Sequence, residues 1–227
     1  HLQSSGRKML FLTNKTIESR ENYVKKLGRF GIQVRLENLL SPSVVTIQYL
    51  QQHYPNARVY VIGESVLKEE MKAAGISFSQ TPADTDMIVV SWDRDFHYEH
   101  LAFAYRSIQH GAHIIATHPD RTCPLAEGEV PDCGGMIGAI EGVTNKKIET
   151  IMGKPSTLMA LTALDLLQID ASACLLTGDR LETDILMGHR AGMNTALVLT
   201  GVTSRDDISS AAVKPRYVLS SVADLLG

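Results

Sequence analysis

Short apolar runs alternate along this chain with longer stretches in which apolar residues recur at helical spacing. The run from Met87 to Val90 has no polar member, as expected for a strand covered on both faces. The stretch from Tyr98 to His110 places Leu101, Tyr105 and Ile108 on one helix face. The pattern predicts strands at residues 8–12, 58–62, 86–92, 113–117, 175–176, 195–199 and 217–219. It predicts helices at residues 17–30, 42–53, 64–74, 98–110 and 157–167, one that opens at Cys133 and one that ends near Ala191.

Strands and helices in this alternation predict an α/β fold with a parallel sheet. The strands of such a sheet point the same way, and ligands bind in the crevice at their carboxyl ends. Polar residues that directly follow a strand are therefore the first candidates for a functional site.

Two aspartates follow Leu175 and Leu176, which the pattern predicts to be a buried strand. Gly178 allows a turn, so Asp179 should stand just beyond the strand, and Asp184 should return toward the same crevice. Two unneutralised carboxylates repel each other, and a hard cation such as Mg²⁺ removes that repulsion and takes oxygen ligands. Both aspartates are therefore candidate metal ligands. The alternative is a turn aspartate followed by a helix-capping aspartate, both solvated.

Two further strand ends carry residues suited to an anion. Thr13, Asn14 and Lys15 offer a hydroxyl, an amide and backbone N–H groups, which are what a phosphate needs. Lys154 lies on a stiff elbow between Gly153 and Pro155, where it can serve as a point charge. A hydroxyl donor, a cation and a metal-binding carboxylate suit phosphoryl transfer. Helix capping by the first group and a solvated lysine in the second remain open alternatives.

The composition of the chain limits the classes of partner molecule and the cellular setting that we expect. The chain has 227 residues, of which 44% are hydrophobic, and its formal net charge of −3 gives no reason to expect nucleic acid or an anionic membrane surface as partner. No apolar run is long enough to span a bilayer. Three scattered cysteines without metal-ligand spacing predict a reduced, cytoplasmic setting.

The motifs Leu12-Thr13-Asn14, Gly153-Lys154-Pro155 and Gly178-Asp179-x₃-Thr183-Asp184, in this order, resemble the second, third and fourth motifs of the haloacid dehalogenase superfamily. Segments 116–120, 135–141 and 199–202 are similar to those of its NagD-like and AraL-like sugar-phosphate and p-nitrophenyl phosphatases. The resemblance implies a Rossmann-like core at residues 1–50 and 150–227, with an α/β cap of the large type inserted at residues 51–149. Relatives commonly form homodimers through the cap, so a homodimer is expected here.

The resemblance also implies a mechanism, in which an aspartate attacks phosphorus to give an aspartyl-phosphate that water then hydrolyses. By carry-over, Thr13 and Asn14 would bind the phosphoryl group of a small phosphomonoester. Lys154 would neutralise the group and the nucleophile. Asp179 would hold Mg²⁺, with Asp184 supporting its loop.

One family motif is missing from the sequence. The motif that supplies the nucleophile, Asp-x-Asp-Gly-Thr or a close variant, should lie about thirty residues before Thr13, and it is nowhere in this sequence. We expect the motif to lie upstream of the sequence given. The alternative is an inactive phosphate-binding protein or scaffold of the same fold. A flavodoxin-like receiver or nucleotide-binding domain is a third alternative, which the long insert and the Gly-Lys-Pro elbow disfavour.

Substrate choice should depend on the segment from His118 to Pro124, which in relatives reaches the leaving part of the substrate. Asp120, Arg121 and Cys123 are its candidate substrate contacts. The glycines that follow Cys133 lack the spacing of a dinucleotide-binding loop, and no strand is predicted immediately before them, so close packing or an anion at a helix end is the better interpretation. A solvated turn at Asp120 remains open.

Arg121→Ala should change kcat/KM among sugar phosphates by about tenfold, the effect of losing roughly 1.4 kcal/mol of transition-state contact. Rates on p-nitrophenyl phosphate should barely move, because that substrate lacks the groups that Arg121 would contact. Steady-state kinetics on both substrate types measures the difference. A uniform loss on all substrates would mean that the loop only closes the site.

Overall fold

A computed structural model of the chain describes residue 2, residues 4–125 and residues 127–226. The chain divides into two compact units, here called the middle unit (residues 11–153) and the terminal unit (residues 1–10 and 154–227). The strands are β1 (Phe11–Leu12), β2 (Leu39–Leu40), β3 (Arg58–Ile62), β4 (Ser77–Phe78), β5 (Met87–Val90), β6 (His113–Ala116), β7 (Thr122–Leu125), β8 (Gly128–Pro131), β9 (Thr150–Ile151), β10 (Leu175–Gly178), β11 (Asn194–Val198) and β12 (Tyr217–Leu219). The helices are α1 (Arg20–Arg29), α2 (Pro42–His53), α3 (Ser65–Ala73), α4 (Tyr98–Gln109), α5 (Cys133–Thr144), α6 (Thr157–Leu167), α7 (Leu186–Arg190) and α8 (Asp207–Ser210).

The middle unit is built on a five-stranded parallel sheet in the order β4-β3-β5-β6-β9. All four residues of its central strand, β5, are buried, which explains why their sequence shows no polar alternation. Trp92, Ile114 and Ile140 belong to the hydrophobic cluster that packs on this sheet. The predicted parallel α/β architecture is therefore confirmed.

The segment predicted as a loop after β6 is partly strand. Thr122–Leu125 pairs antiparallel with Gly128–Pro131 to form a two-stranded hairpin directly before α5. The sequence prediction missed both strands because each is short and one contains Pro124, a residue that sheets accept mainly at their edges. The statement that no strand precedes the glycines of α5 was therefore wrong.

The terminal unit contains a three-stranded parallel sheet in the order β10-β11-β12. Its strand β10 was predicted to be buried on both faces, but Leu175 is 40% exposed and only Leu176 is buried. The difference has a physical reason, because β10 is an edge strand of this sheet among the described residues. An apolar pair alone does not distinguish an edge strand from a central one.

The compact units do not follow the predicted boundaries between core and cap. Residues 150–153 fall in the middle unit because β9 pairs with β6. Residues 11–50 fall there too, since the loop after β1 is bonded to side chains of the middle sheet. The assignment of residues 1–50 and 150–227 to a core stays a prediction.

Helix ends follow the expected chemistry. Pro42 begins α2, as predicted. Ser19 caps α1 by accepting a hydrogen bond from the Asn22 N–H, so the helix starts later than the predicted residue 17. Gly75 and Gly111, predicted as helix stops, have φ angles of +81° and +98°. Within the described part of the chain, every helix is too short or too polar to cross a bilayer.

Three buried hydroxyls connect the loop after β1 to the middle sheet. Ser91 Oγ lies 2.8 Å from Thr16 Oγ1 and accepts a hydrogen bond of 2.9 Å from Thr117 Oγ1. Ser91 and Thr117 are fully buried, and Thr16 is 2% exposed. Since buried hydroxyls need hydrogen-bond partners, this group fixes the loop to β5 and β6 through bonds that do not depend on charge.

Ser91→Ala should lower the free energy of unfolding by about 2 kcal/mol, because two buried threonine hydroxyls lose a partner. The matched control is Ser107→Ala. Ser107 is equally buried, but its hydroxyl bonds only the Phe103 carbonyl of its own helix, and alanine is the better helix former. Chemical denaturation of both variants measures the difference. Equal losses of unfolding free energy in the two variants would show that the hydrogen-bonded hydroxyls around Ser91 add no more stability than a single hydroxyl within a helix.

Candidate active site

The predicted site residues fall into two sets, one in each unit. The middle unit holds six of them, Thr13, Asn14, Lys15, Asp120, Arg121 and Cys123. The terminal unit holds the other three, Lys154, Asp179 and Asp184.

Asp179 directly follows β10, at the carboxyl end of the strand, as predicted. Its Oδ2 accepts a hydrogen bond of 2.9 Å from the Val202 N–H, and its carbonyl accepts one of 3.2 Å from the Thr203 N–H. A Cβ at Gly201 would overlap the Asp179 carboxylate, so the loop after β11 closes over this side chain only because residue 201 is glycine. Two backbone donors and one glycine thus fix the position of the carboxylate.

The second carboxylate oxygen of Asp179 makes no hydrogen bond with any described residue. A half-buried carboxylate with one oxygen held and the other uncommitted is a suitable ligand for a hard divalent cation. The structure therefore fits the predicted role of Asp179, although that role itself stays a prediction.

Asp184 lies in a π-helical turn, Leu181–Ile185, that precedes α7. Its Oδ1 is 2.7 Å from Lys154 Nζ, and its Oδ2 accepts a hydrogen bond of 3.2 Å from the Arg180 N–H. The side chains of Lys154 and Asp184 are only 15% and 6% exposed. A Cβ at Gly178 would overlap the Asp184 carboxylate. The structure thus brings two predicted site residues into one ion pair, whose formation the sequence did not predict.

This ion pair agrees with a supporting role for Asp184. Both of its oxygens already have partners, so it is less available to a cation than Asp179. A nearly buried carboxylate and ammonium satisfy each other, and removing either one would leave an uncompensated charge. We therefore expect Asp184 to hold Lys154 and the turn after β10 in place.

Thr13 lies at the end of β1 in the middle unit. Its Oγ1 accepts a hydrogen bond of 3.1 Å from the Lys15 N–H and donates one of 3.4 Å to the Tyr23 hydroxyl. Burial raises the pKa of Tyr23 to about 12, so this phenol stays protonated over the physiological range. Tyr23 is a neighbour of the candidate site that sequence analysis missed, because nothing in the α1 pattern separates it from core residues.

Asn14 is buried and pairs with another predicted site residue. Its Nδ2 lies 3.2 Å and 3.1 Å from the two carboxylate oxygens of Asp120. Sequence analysis assigned Asn14 to the phosphoryl group and Asp120 to the substrate loop, and it did not predict that they touch. The pair fixes the amide plane of Asn14 and orients it by the charge of Asp120.

The other three predicted site residues of the middle unit, Lys15, Arg121 and Cys123, each have different neighbours. Lys15 Nζ lies 6.0 Å from the ring centroid of Trp92, within cation–π range. Arg121 is exposed, and its carbonyl accepts a hydrogen bond of 3.0 Å from the Asp132 N–H. Cys123 lies half-buried in β7, opposite Val130. The hairpin therefore carries Cys123 on a strand and Arg121 just before it.

Two protein-family models match the chain and define its class. A model described as HAD-hydrolase-like matches residues 151–225, and a model described as haloacid dehalogenase-like hydrolase matches residues 1–77. The two matches contain all three motifs on which the resemblance rests.

Individual relatives match over nearly the whole chain. Sugar-phosphatase AraL of Bacillus subtilis (strain 168) is 38% identical over 224 residues, which cover 99% of this chain and 82% of the relative. The 5'-nucleotidase YutF of the same organism is 32% identical over 223 residues, which cover 98% and 86%. Among solved structures, p-nitrophenyl phosphatase from Archaeoglobus fulgidus matches with a TM-score of 0.93 at 33% identity, over 99% of this chain and 87% of that one. The chain belongs to the haloacid dehalogenase-like hydrolases, which confirms the family resemblance and the fold class.

Gly201→Ala should release the Asp179 carboxylate, because the new methyl group occupies its place. The Val202 amide would then lose its acceptor, and its hydrogen exchange should become at least about tenfold faster, which corresponds to roughly 1.4 kcal/mol for a charged hydrogen bond. Gly142→Ala serves as the control, since a Cβ at that helical position meets nothing within 4 Å. Unchanged exchange at Val202 would show that the loop accommodates the methyl group.

Proposed function

We propose that this protein is a phosphatase that hydrolyses small phosphomonoesters, with sugar phosphates as the preferred class. The relatives support the reaction, since they include a sugar phosphatase, a 5'-nucleotidase and a p-nitrophenyl phosphatase. The observation that carries the proposal is the anchoring of Asp179 at the carboxyl end of β10, with one oxygen held by a backbone N–H and one uncommitted. Such a carboxylate is positioned before any ligand arrives.

Asp179 is the proposed ligand of a Mg²⁺ ion, and Asp184 supports its loop. When bound, this ion would supply positive charge to the phosphoryl oxygens. Carboxylate oxygen is the ligand type that Mg²⁺ prefers, which favours it over softer ions at Asp179. Gly178 and Gly201 allow the two carboxylates to lie tightly against the backbone.

Lys154 is the proposed counter-charge for the phosphoryl group. Its ammonium is held by Asp184 at 2.7 Å, which limits the positions it can take. An ammonium is a compact point charge with three donors, so it can keep one bond to Asp184 and offer others to a phosphate oxygen. Asp184 is thus proposed to orient Lys154.

Thr13, Asn14 and Lys15 are the proposed phosphate-binding residues of the middle unit. The Thr13 hydroxyl donates to Tyr23 at 3.4 Å, a long bond that it can exchange for a shorter one to a phosphoryl oxygen. Asn14 is held by Asp120, so its amide needs no reordering. Backbone N–H groups of this loop are the third kind of donor.

Specificity is proposed to lie with Asp120, Arg121 and Cys123 at the hairpin. Arg121 is exposed and has a planar set of donors that can bind sugar hydroxyls or a second anionic group.

The three free cysteines agree with the proposed cytoplasmic location. A homodimer formed through residues 51–149 is the remaining part of the proposal, and sedimentation velocity would test it.

In an active form of the protein, Asp179→Asn should abolish Mg²⁺-dependent turnover, because an amide oxygen lacks the charge that holds a hard cation. Thr183→Ala is the control in the same turn. The Thr183 hydroxyl is buried without a hydrogen-bond partner among the described residues, so its loss removes no bond. Isothermal titration with Mg²⁺, together with turnover of p-nitrophenyl phosphate, measures both variants. Undiminished Mg²⁺ binding and rate in Asp179→Asn would remove this residue from the site.

A further inference from the structure

His118 stands at the end of β6 and is completely buried. Neither of its ring nitrogens has a hydrogen-bond partner among the described residues. Burying a polar group without a partner is costly, and native proteins rarely leave one in that state without a reason such as an ion or a bound water. The buried imidazole of His118 would therefore be stabilised by a bound partner, such as an ion, that the described residues do not supply.

Two carboxylates flank the ring. Asp120 Oδ2 lies 3.5 Å from His118 Nδ1, and Asp132 Oδ1 lies 3.7 Å from His118 Nε2. Both distances exceed those of ordinary hydrogen bonds. The side chains of Asp120 and Asp132 are 14% and 5% exposed, so water reaches this group poorly.

The two carboxylates place negative charge where little solvent can screen it. Burial is the main cause that raises the pKa of Asp132, and Asp120 acts in the same direction, whereas His118 when protonated, the Cys133 N–H and Lys15 act against it. With a neutral imidazole, His118, Asp120 and Asp132 together carry two negative charges. A divalent cation would neutralise both charges and would give a ring nitrogen of His118 a partner.

The spacing of the donor atoms suits such an ion. One ligand atom from each of the three residues lies within 4.8 Å of the other two. Two ligands about 2.1 Å from a tetrahedral zinc ion are about 3.4 Å apart. The 3.5 Å between His118 Nδ1 and Asp120 Oδ2 matches that separation. Asp132 approaches the other ring nitrogen, Nε2, at 3.7 Å, so its carboxylate would have to turn toward Nδ1 to complete a three-residue set.

The backbone around these residues is firmly held. Asp132 caps α5 by accepting a hydrogen bond of 2.6 Å from the Cys133 N–H. The Asp120 carbonyl accepts one of 2.8 Å from the Gly134 N–H, and the Asp120 carboxylate accepts from Asn14. The three donor groups thus come from the end of β6, the segment after it and the start of α5, positions that a bound ion would tie together.

We propose that His118, Asp120 and Asp132 form a second cation site, specific for zinc-like divalent ions, whose three ligands do not include Asp179. One imidazole with two carboxylates favours Zn²⁺ or Co²⁺ over Mg²⁺, which prefers oxygen ligands alone. All three residues lie in the middle unit. Because Asp120 is also a proposed substrate contact, the site is tested by ion binding, a readout that does not require turnover.

Co²⁺ is the probe that tests the site. The intact protein is titrated with Co²⁺ in excess Mg²⁺ at slightly alkaline pH, so that protons compete less with the metal ion for the imidazole. We expect one saturable site, seen by calorimetry and by the visible absorption of tetrahedral Co²⁺. His118→Asn should weaken binding by about a hundredfold or more, since losing even an outer partner costs about 10–100-fold. Zn²⁺ should raise the midpoint of thermal unfolding in the unchanged protein.

Two further variants make the test decisive. His113→Asn is the matched control, because His113 lies on the same strand, is exposed, and has Glu149 as its carboxylate neighbour at 2.9 Å. Its Co²⁺ affinity should match that of the unchanged protein. Asp132→Asn keeps the helix cap, since asparagine caps as well as aspartate, but should lose the Zn²⁺-induced stabilisation. If His118→Asn fails to fold, Asp132→Asn decides alone. Absence of Co²⁺ binding, or binding in both site variants as tight as in the unchanged protein, overturns the proposal and leaves His118 packed between two carboxylates without an ion.

Discussion

A carboxylate that leaves water needs a compensating positive charge, and the candidate sites of this protein depend on how that need is met. Asp184 meets it with the ammonium of Lys154 and a backbone N–H. Asp179 meets it in part with the Val202 N–H, which leaves one oxygen for a cation. Each partly buried carboxylate that lacks a full set of partners therefore marks a place where a charged ligand would be stabilised.

Short connections at the ends of strands bring these charges together. In the terminal unit, the turn after β10 and the loop after β11 close on Asp179 and Asp184, which requires glycine at positions 178 and 201. In the middle unit, the ends of β1 and β6 supply Asn14 and Asp120, which contact each other directly. β1 and β6 belong to different parallel sheets, so this contact joins residues that are distant in sequence and lie on separate sheets.

Sequence analysis predicted the regular elements well where local pattern decides them. β3, α6 and β12 have the predicted bounds, because each combines a clear period with strong stop signals. The exposure of Leu175 and the hairpin at Thr122–Leu125 could not be predicted, since both depend on which strand lies alongside. Pairings such as Asn14 with Asp120 and Lys154 with Asp184 likewise join residues far apart in sequence. The sequence around His118 and Asp132 does not predict a metal site, because only their burial in the folded protein makes these two residues unusual.

Every residue from Thr13 to Thr16 is attached to its surroundings. The Thr13 N–H bonds the Leu40 carbonyl, Asn14 bonds Asp120, the Lys15 N–H bonds the Thr13 hydroxyl, and Thr16 contacts Ser91. Such a segment has already lost its conformational entropy during folding, so an arriving oxyanion would meet donors that need no further ordering. Differences in affinity between ligands at this loop should therefore reflect charge and shape, with little contribution from the freezing of a flexible chain.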